Sequence, residues 1–355
     1  MEAWLSSWVR RRSLSKIVAM YNNKGGVSKT TTLFNLGVYL AEQGNRVLFA
    51  DCDPQCNLTE LFLASNPDFE DPEKELPGTS IYDALLPRFR GEAGAIDPTT
   101  IDLVESALYA KTFLFRGDIE FSLAETYLGT AWNQAVTENI HEKNTYVALY
   151  HLLQGLGKTR GFDYILCDVG PSTGAITRTV VLACDGLFLP LVPDRFCNQA
   201  VRLLGSVIHE WTARHQQIVQ TLAPFKIQSF PGSPVLLGAV IQNFKVHSAA
   251  KAKQSYVKWQ ERISADIKSY LLSEGGITPA PSLDPANPYV ATIRDLGPLA
   301  PTAQMFGRAM FDIDQEHTRA ASTTGQMYYG SVWKPWVDRM KEYKSEVGKI
   351  ASAMP

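Results

Sequence analysis

Within Lys24-Gly25-Gly26-Val27-Ser28-Lys29-Thr30-Thr31, glycines, lysines and hydroxyls follow one another closely. Glycines let backbone N–H groups turn inward and cradle anionic oxygens. Lys29 can reach the outer phosphates of a nucleotide, and the Thr30 hydroxyl can ligate Mg²⁺. Two acidic motifs follow. In Asp51-Cys52-Asp53-Pro54-Gln55-Cys56-Asn57, a carboxylate at the end of an apolar run can position Mg²⁺ waters or an attacking water. The run Tyr164-Ile165-Leu166-Cys167-Asp168 ends in a single acid, and Asp168 is expected to hold Mg²⁺ through water. An isolated Asp-x-Asp reads as a solvated turn; one βαβ unit after a phosphate loop, it reads as part of a site.

The elements that must position these groups are legible in the apolar pattern. Lys16 to Tyr21 predicts a strand, and Leu33, Leu36, Leu40 and Ala41 recur at helical spacing until Gly44 and Asn45 stop the helix. Arg46 to Ala50 predicts a second strand. The loop between lies at the carboxyl end of the first strand, where open α/β sheets bind ligands, and on a helix N-terminus whose dipole favours anions. Helices are expected over 81–86, 121–128, 144–156, after Asn198, over 248–272 and from about Val332. Strands are expected over 164–167, 186–192 and 234–241, and loops over 65–78 and 274–291. Strands alternating with helices from 16 to about 245 predict an α/β fold with a mostly parallel twisted sheet covered on both faces.

The common pattern G-x-x-x-x-G-K-[ST] would need glycines at Asn23 and Ser28 and is absent. The segment resembles instead the deviant form K-G-G-x-G-K-[ST]-T, departing from it at Ser28. Asp51 to Thr59 looks like D-x-D-P-Q-G-N with Cys56 for the glycine, and Asp168 to Ser172 like D-x-P-P-S with Gly170 for the first proline. Thr79 to Leu86, Gly117 to Glu125 and Asp185 to Pro193 add to the likeness. From about Lys16 to about Asp314 the chain thus resembles the ParA/MinD family of P-loop ATPases, nearest to ParA-type partition ATPases. That resemblance implies ATP and Mg²⁺ as ligands. Gly25, Gly26, Val27, Ser28, Lys29, Thr30 and Thr31 would hold the phosphates, Thr30, Asp51 and Asp168 the metal. It makes Asp51 the residue needed for hydrolysis and Lys24 the lysine that crosses a homodimer interface to the partner's phosphates. The base is expected near the end of strand 236–241, where Gln242 or Asn243 could read it, with Ile293 to Pro301 closing over it. If position 28 needs a positive φ, serine costs about 1 kcal/mol there. Ser28 either lends its hydroxyl to a phosphate or marks a degenerate loop.

With 45% hydrophobic and 20% charged residues, the 355-residue chain can build a substantial α/β core. A net charge of −2 excludes wholesale coating of nucleic acid, so a DNA contact needs a local basic patch. Such a stripe runs from Lys245 to Lys268, with Lys251, Lys253, Lys258 and Arg262 against Glu261 and Asp266; it suits non-specific DNA contact or a solvated helix face. Five irregularly spaced cysteines argue against a disulfide framework and for the cytoplasm, and Cys52 and Cys56 lack a second pair at zinc spacing. No run of apolar residues is long enough to cross a membrane. The expected organisation is an N-terminal arm over 1–15, an ATPase domain over 16–330 with an insertion within about 65–110, and a C-terminal helix over 331–355. Trp4, Leu5, Trp8 and Val9 ahead of Arg10 to Arg12 could form a membrane-touching helix, a packed arm or a frayed tail. The amphipathic C-terminal segment is expected to pack on the core or meet a partner rather than a membrane, because Asp338, Glu342 and Glu346 dilute its positive charge.

The function expected from this pattern is an ATP-operated switch that dimerises around nucleotide, is stimulated by a partner protein, and acts in plasmid or DNA partition or cargo positioning. The alternative is a nucleotide-dependent regulatory or scaffold component in secretion, envelope or anti-phage systems. A metal-cluster ATPase would need cysteines arranged across a dimer axis, and no convincing set is present.

Overall fold

The computed structural model describes residues 15–66, 69, 74–92, 94–244 and 250–355, and gives the backbone alone for 243, 244 and 250–253. The expected N-terminal arm therefore lies outside the described residues. So do Lys245 at the head of the basic stripe and parts of the 65–110 insertion.

Eight strands form one sheet in the order β3-β4-β2-β5-β1-β6-β7-β8. They are β1 (Lys16–Met20), β2 (Val47–Asp51), β3 (Val104–Glu105), β4 (Thr112–Phe115), β5 (Tyr164–Asp168), β6 (Gly186–Leu191), β7 (Val235–Phe244) and β8 (Tyr289–Arg294). All neighbours pair in parallel except the short edge pair β3 and β4. β1 sits between β5 and β6, and every residue of β2 is buried, as an interior parallel strand requires.

Helices α1 (Lys29–Glu42), α2 (Asn57–Leu63), α3 (Ile81–Phe89), α4 (Ala124–Gln134), α5 (Ile140–Arg160), α6 (Ala175–Ala183) and α7 (Arg195–Gln220) fill the crossovers. Both faces of the sheet are covered. On β5, Leu166 lies against Gly37 of α1, whereas its neighbour Ile165 lies against Gly157 of α5. Helix α8 (Ala250–Asp266) runs on into a π-helical stretch, Ile267–Glu274, and α9 (Leu299–Met305), α10 (Gln315–Ala320) and α11 (Gly330–Ser352) complete the chain.

The structure corrects the expected pattern in several places. Strand β8 starts inside the segment 274–291 read as a loop; its six residues follow a Pro-rich stretch that masks a short run. Ile293 to Pro301 is not one loop but the end of β8, a turn and the first turn of α9. Within the region read as an insertion, β3 appears and pairs with β4, which closes the edge beside β2. The helix expected over 121–128 begins as a 3₁₀ turn, Ile119–Leu123, before α4.

Helix α11 packs on α1 and β8 and buries Trp336, Met340, Tyr343, Val347 and Ile350, in line with the core-packing expectation. No helix among the described residues is long and apolar enough to cross a membrane. The position of α1 depends on Gly37. A Cβ there would stand 2.2 Å from the Phe49 ring and 3.0 Å from Leu166, and the Phe49 ring is itself wedged between Phe34 and Phe62. Gly37→Ala is expected to overpack this layer and cost about 1–3 kcal/mol, read as a lower urea midpoint at unchanged slope.

Candidate functional site

The chain leaves β1 at Tyr21 and enters a loop held from behind. Asn22 donates its amide to the Pro190 carbonyl at 2.8 Å and accepts the Lys24 backbone N–H at 3.0 Å. The loop then bends through two left-handed residues, Gly26 (φ 71°) and Ser28 (φ 54°), before α1 starts at Lys29. Gly26 adopts this conformation at no steric cost; Ser28 does not, so it occupies the strained state weighed in the sequence. Ser28 is also the N-cap of α1, yet its side chain makes no capping hydrogen bond.

The loop forms one wall of a cavity of about 780 Å³, lined from Gly25 to Thr31 and by Asp53, Gln55, Asn57, Glu60, Gln304 and Met305. Lys29 is 8% exposed, and its ammonium folds back to the Asn22 and Lys24 carbonyls at 3.2 and 3.4 Å. Burial lowers its proton affinity, while the carboxylates of Asp168 and Asp53 oppose that shift. Thr30 donates its hydroxyl to Asp168 Oδ2 at 2.6 Å. Three members of the predicted constellation, Lys29, Thr30 and Asp168, therefore meet at the loop.

Parallel pairing sets Asp51 opposite Asp168 at the tips of β2 and β5. Both are buried, and burial together with repulsion among the neighbouring carboxylates pushes Asp51 to about 6 and Asp168 to about 8. Their surroundings differ. Asp51 Oδ2 accepts the Thr59 N–H at 2.8 Å and hydroxyl at 2.7 Å, and Oδ1 accepts the Asp53 N–H at 3.3 Å. Thr59 in turn accepts the Gly117 N–H at 2.8 Å. Asp51 thus ties α2 and the 117 turn to the sheet with both of its oxygens engaged. Asp53, 8% exposed, lines the cavity. The Asp-x-Asp spacing contained part of this information, but the hydrogen bonds separate the two acids: Asp51 accepts on both oxygens, whereas Asp53 accepts the Gln55 N–H at 3.1 Å on Oδ1.

Asp168 Oδ1 is buried and has no hydrogen-bond partner. An unpaired buried carboxylate oxygen beside a threonine hydroxyl fits a divalent cation held partly through water. Among the described residues, no group of three or more His, Cys, Asp or Glu forms a protein-only metal cage. Mg²⁺ needs none, since it takes phosphate and water oxygens. Thr30 and Asp168 are the residues that would hold it.

Two other predicted residues are placed apart from this cluster. Lys24 turns to Asp194, the N-cap of α7, at 2.6 Å, and lies 5.7 Å from the Phe196 ring centre. Gln242 is buried and donates its amide to Thr32 at 2.8 Å, behind the loop rather than in the cavity. The side chain of Asn243 lies outside the described residues. Val27 is buried, and Gln304 on α9 reaches the Thr31 hydroxyl at 3.4 Å. Neither Asp194 nor Gln304 carried any sequence signal of these contacts, which join segments far apart in the chain.

Two outcomes follow from this geometry. Ser28→Gly is expected to relieve the left-handed strain and raise stability by about 1 kcal/mol, measured by denaturant unfolding; a destabilised variant would show that Ser28 is held by something other than backbone necessity. The raised Asp168 means the folded state holds its proton above the ordinary carboxylate range. Ligand-free stability should therefore fall as pH climbs from that range through about 8. Asp168→Asn should flatten that fall in melting temperature.

The AAA-domain family model matches residues 15–221, more than half of the chain. The sporulation initiation inhibitor protein Soj of Bacillus subtilis is 29% identical over 195 residues, 55% of this chain and 65% of Soj. The chromosome partitioning protein ParA of Caulobacter vibrioides is 30% identical over 194 residues, 54% of this chain and 62% of that protein. The chain thus spans less than two thirds of the length of these relatives. Among solved structures, the ATP complex of a singly substituted Cyanothece McdA covers 96% of this chain and 97% of its own, with a TM-score of 0.55 and 21% identity. The Mg-ADP complex of the septum site-determining protein MinD from Pyrococcus horikoshii covers 96% and 99%, with a TM-score of 0.50 and 15% identity. Both share the fold. With its phosphate loop, paired strand-tip carboxylates and mostly parallel sheet, the chain belongs to the AAA-domain family of ParA/MinD-type P-loop ATPases.

Proposed function

We propose that this chain is an ATP-operated switch that binds ATP with Mg²⁺ at the 24–31 loop, dimerises around it and hydrolyses it slowly under the control of a partner protein. The observation that carries the reading is the meeting of Lys29, Thr30 and Asp168 at a loop whose residues wall a cavity at a helix N-terminus. The loop amides and Lys29 would neutralise the triphosphate. Mg²⁺ supplies charge neutralisation at the outer phosphates. Thr30 would orient the carboxylate of Asp168, and Asp53 would position the attacking water. Lys24 would leave Asp194 and reach the phosphates of a second subunit. Asn243, and Gln242 if it releases Thr32, are the candidates for reading the base. A second cavity of about 600 Å³ lies beside the segment proposed to close over it, lined by 293–298 and by Arg339 and Tyr343 of α11.

The relatives named for partitioning support a role in DNA partition or in positioning cargo in the cytoplasm. On the basic stripe, Lys258, Arg262 and Lys268 are exposed, which suits salt-sensitive, non-specific DNA contact, whereas Asp266 is buried against Arg202.

Lys29→Ala is expected to abolish ATP binding in equilibrium dialysis. Asp53→Ala should retain ATP and lose turnover by about a hundredfold, whereas Asp51→Asn should mainly lower the melting temperature. Equal losses of turnover at matched stability would return the hydrolytic role to Asp51. Lys24→Ala should bind ATP yet remain monomeric by light scattering; an ATP-dependent dimer in that variant would remove Lys24 from the interface.

A further inference from the structure

Helices α7 and α8 enclose a groove of about 380 Å³, separate from the phosphate cavity. Arg195, Asn198 and Arg202 line it from α7 at i, i+3 and i+7, on one helix face. Trp259, Arg262 and Asp266 line it from α8. Three guanidiniums thus face one carboxylate, and Asp266 is already bound by Arg202 at 2.6 Å. Arg262 lies 5.1 Å from the Trp259 ring centre, and Arg195 has no ion-pair partner among the described residues. The groove therefore carries uncompensated positive charge with flat surfaces beside it.

Charge alone would suit any anion; the apolar side chains beside the groove narrow the occupant. Asn198 is 9% exposed, and its Oδ1 is buried with no hydrogen-bond partner. Its amide carries an acceptor and two donors, so the groove offers a ligand a neutral polar group besides its charges. Beside the groove on α7, Phe196 and Leu203 stand 69% and 51% exposed at i and i+7, and Val257 of α8 is 42% exposed. Large apolar side chains in water next to a cationic groove match a ligand with apolar and acidic groups at helical spacing. A polypeptide supplies all three: carboxylates for the arginines, peptide groups for Asn198 and apolar side chains for Phe196 and Leu203. The geometry points to a docking groove for an acidic amphipathic segment of a protein partner. This docking does not rest on the nucleotide reading.

The test is fluorescence anisotropy of the full chain with labelled synthetic helices. One is built from Glu and Leu with leucines at i, i+3, i+4 and i+7; a second has Lys in place of Glu; a labelled DNA duplex is the third probe. The Glu/Leu helix is expected to bind, the Lys/Leu helix to fail, and Arg195→Glu or Arg262→Glu to weaken Glu/Leu binding by about tenfold or more. Circular dichroism checks that the variants fold. Arg195→Gln, at an exposed position without an ion-pair partner among the described residues, provides a milder variant whose binding should also fall. Absence of Glu/Leu binding, or equal binding by the folded variants, overturns the proposal. So does an arginine-dependent grip on the DNA duplex without peptide binding, which would make the groove a nucleic-acid surface.

Discussion

Asp51 and Asp168 end neighbouring parallel strands in register, so the sheet brings two carboxylates side by side away from water. Like charges at low dielectric repel strongly, and each must be answered by donors or by a proton. The fold answers them unequally. Asp51 is satisfied by Thr59 and the Asp53 amide, which anchors α2 and the 117 turn to the sheet. Asp168 is answered on one oxygen by Thr30 and left open on the other. That open oxygen belongs to the carboxylate that Thr30 holds at the first turn of the helix after the loop.

Much of this was legible in the chain. Contiguous apolar runs ending in acids pointed to β2 and β5, because interior parallel strands are buried on both faces and need no alternation. The glycine-rich turn before an apolar periodicity marked the loop and α1. What escaped had physical causes. β3 and β4 have only two and four residues, too short for periodicity to separate from a loop, and β8 follows a Pro-rich stretch that reads as loop. Asp53 was visible as a residue, but which acid of the pair faces the cavity depends on Thr59, which donates to Asp51 from another element. Gln242 was, with Asn243, a candidate for reading the base because it lies near the end of a strand; its amide donates to Thr32, across the layer between sheet and helix.

The departures from the family's motifs also find places. Ser28 and Cys56 both adopt left-handed backbone, φ 54° and 56°, at the positions where those motifs carry glycine. The backbone path of both turns is thus kept while the residue is changed, at some cost in strain. Burial, followed by the nearby Asp51, pushes the Cys56 thiol up to about 12, which leaves it a poor nucleophile at neutral pH. At Gly170, a Cβ would stand 3.1 Å from Asp53 Oδ1. The missing side chain there leaves room for the carboxylate that lines the cavity.

The 2.6 Å contact between Lys24 and Asp194 changes what that lysine can contribute elsewhere. An ammonium already matched with a carboxylate brings no net charge to a new anion; it exchanges one counter-ion for another, and Asp194 is left to water. The free energy of such an exchange is a difference between two similar contacts. It is accordingly small and readily reversed.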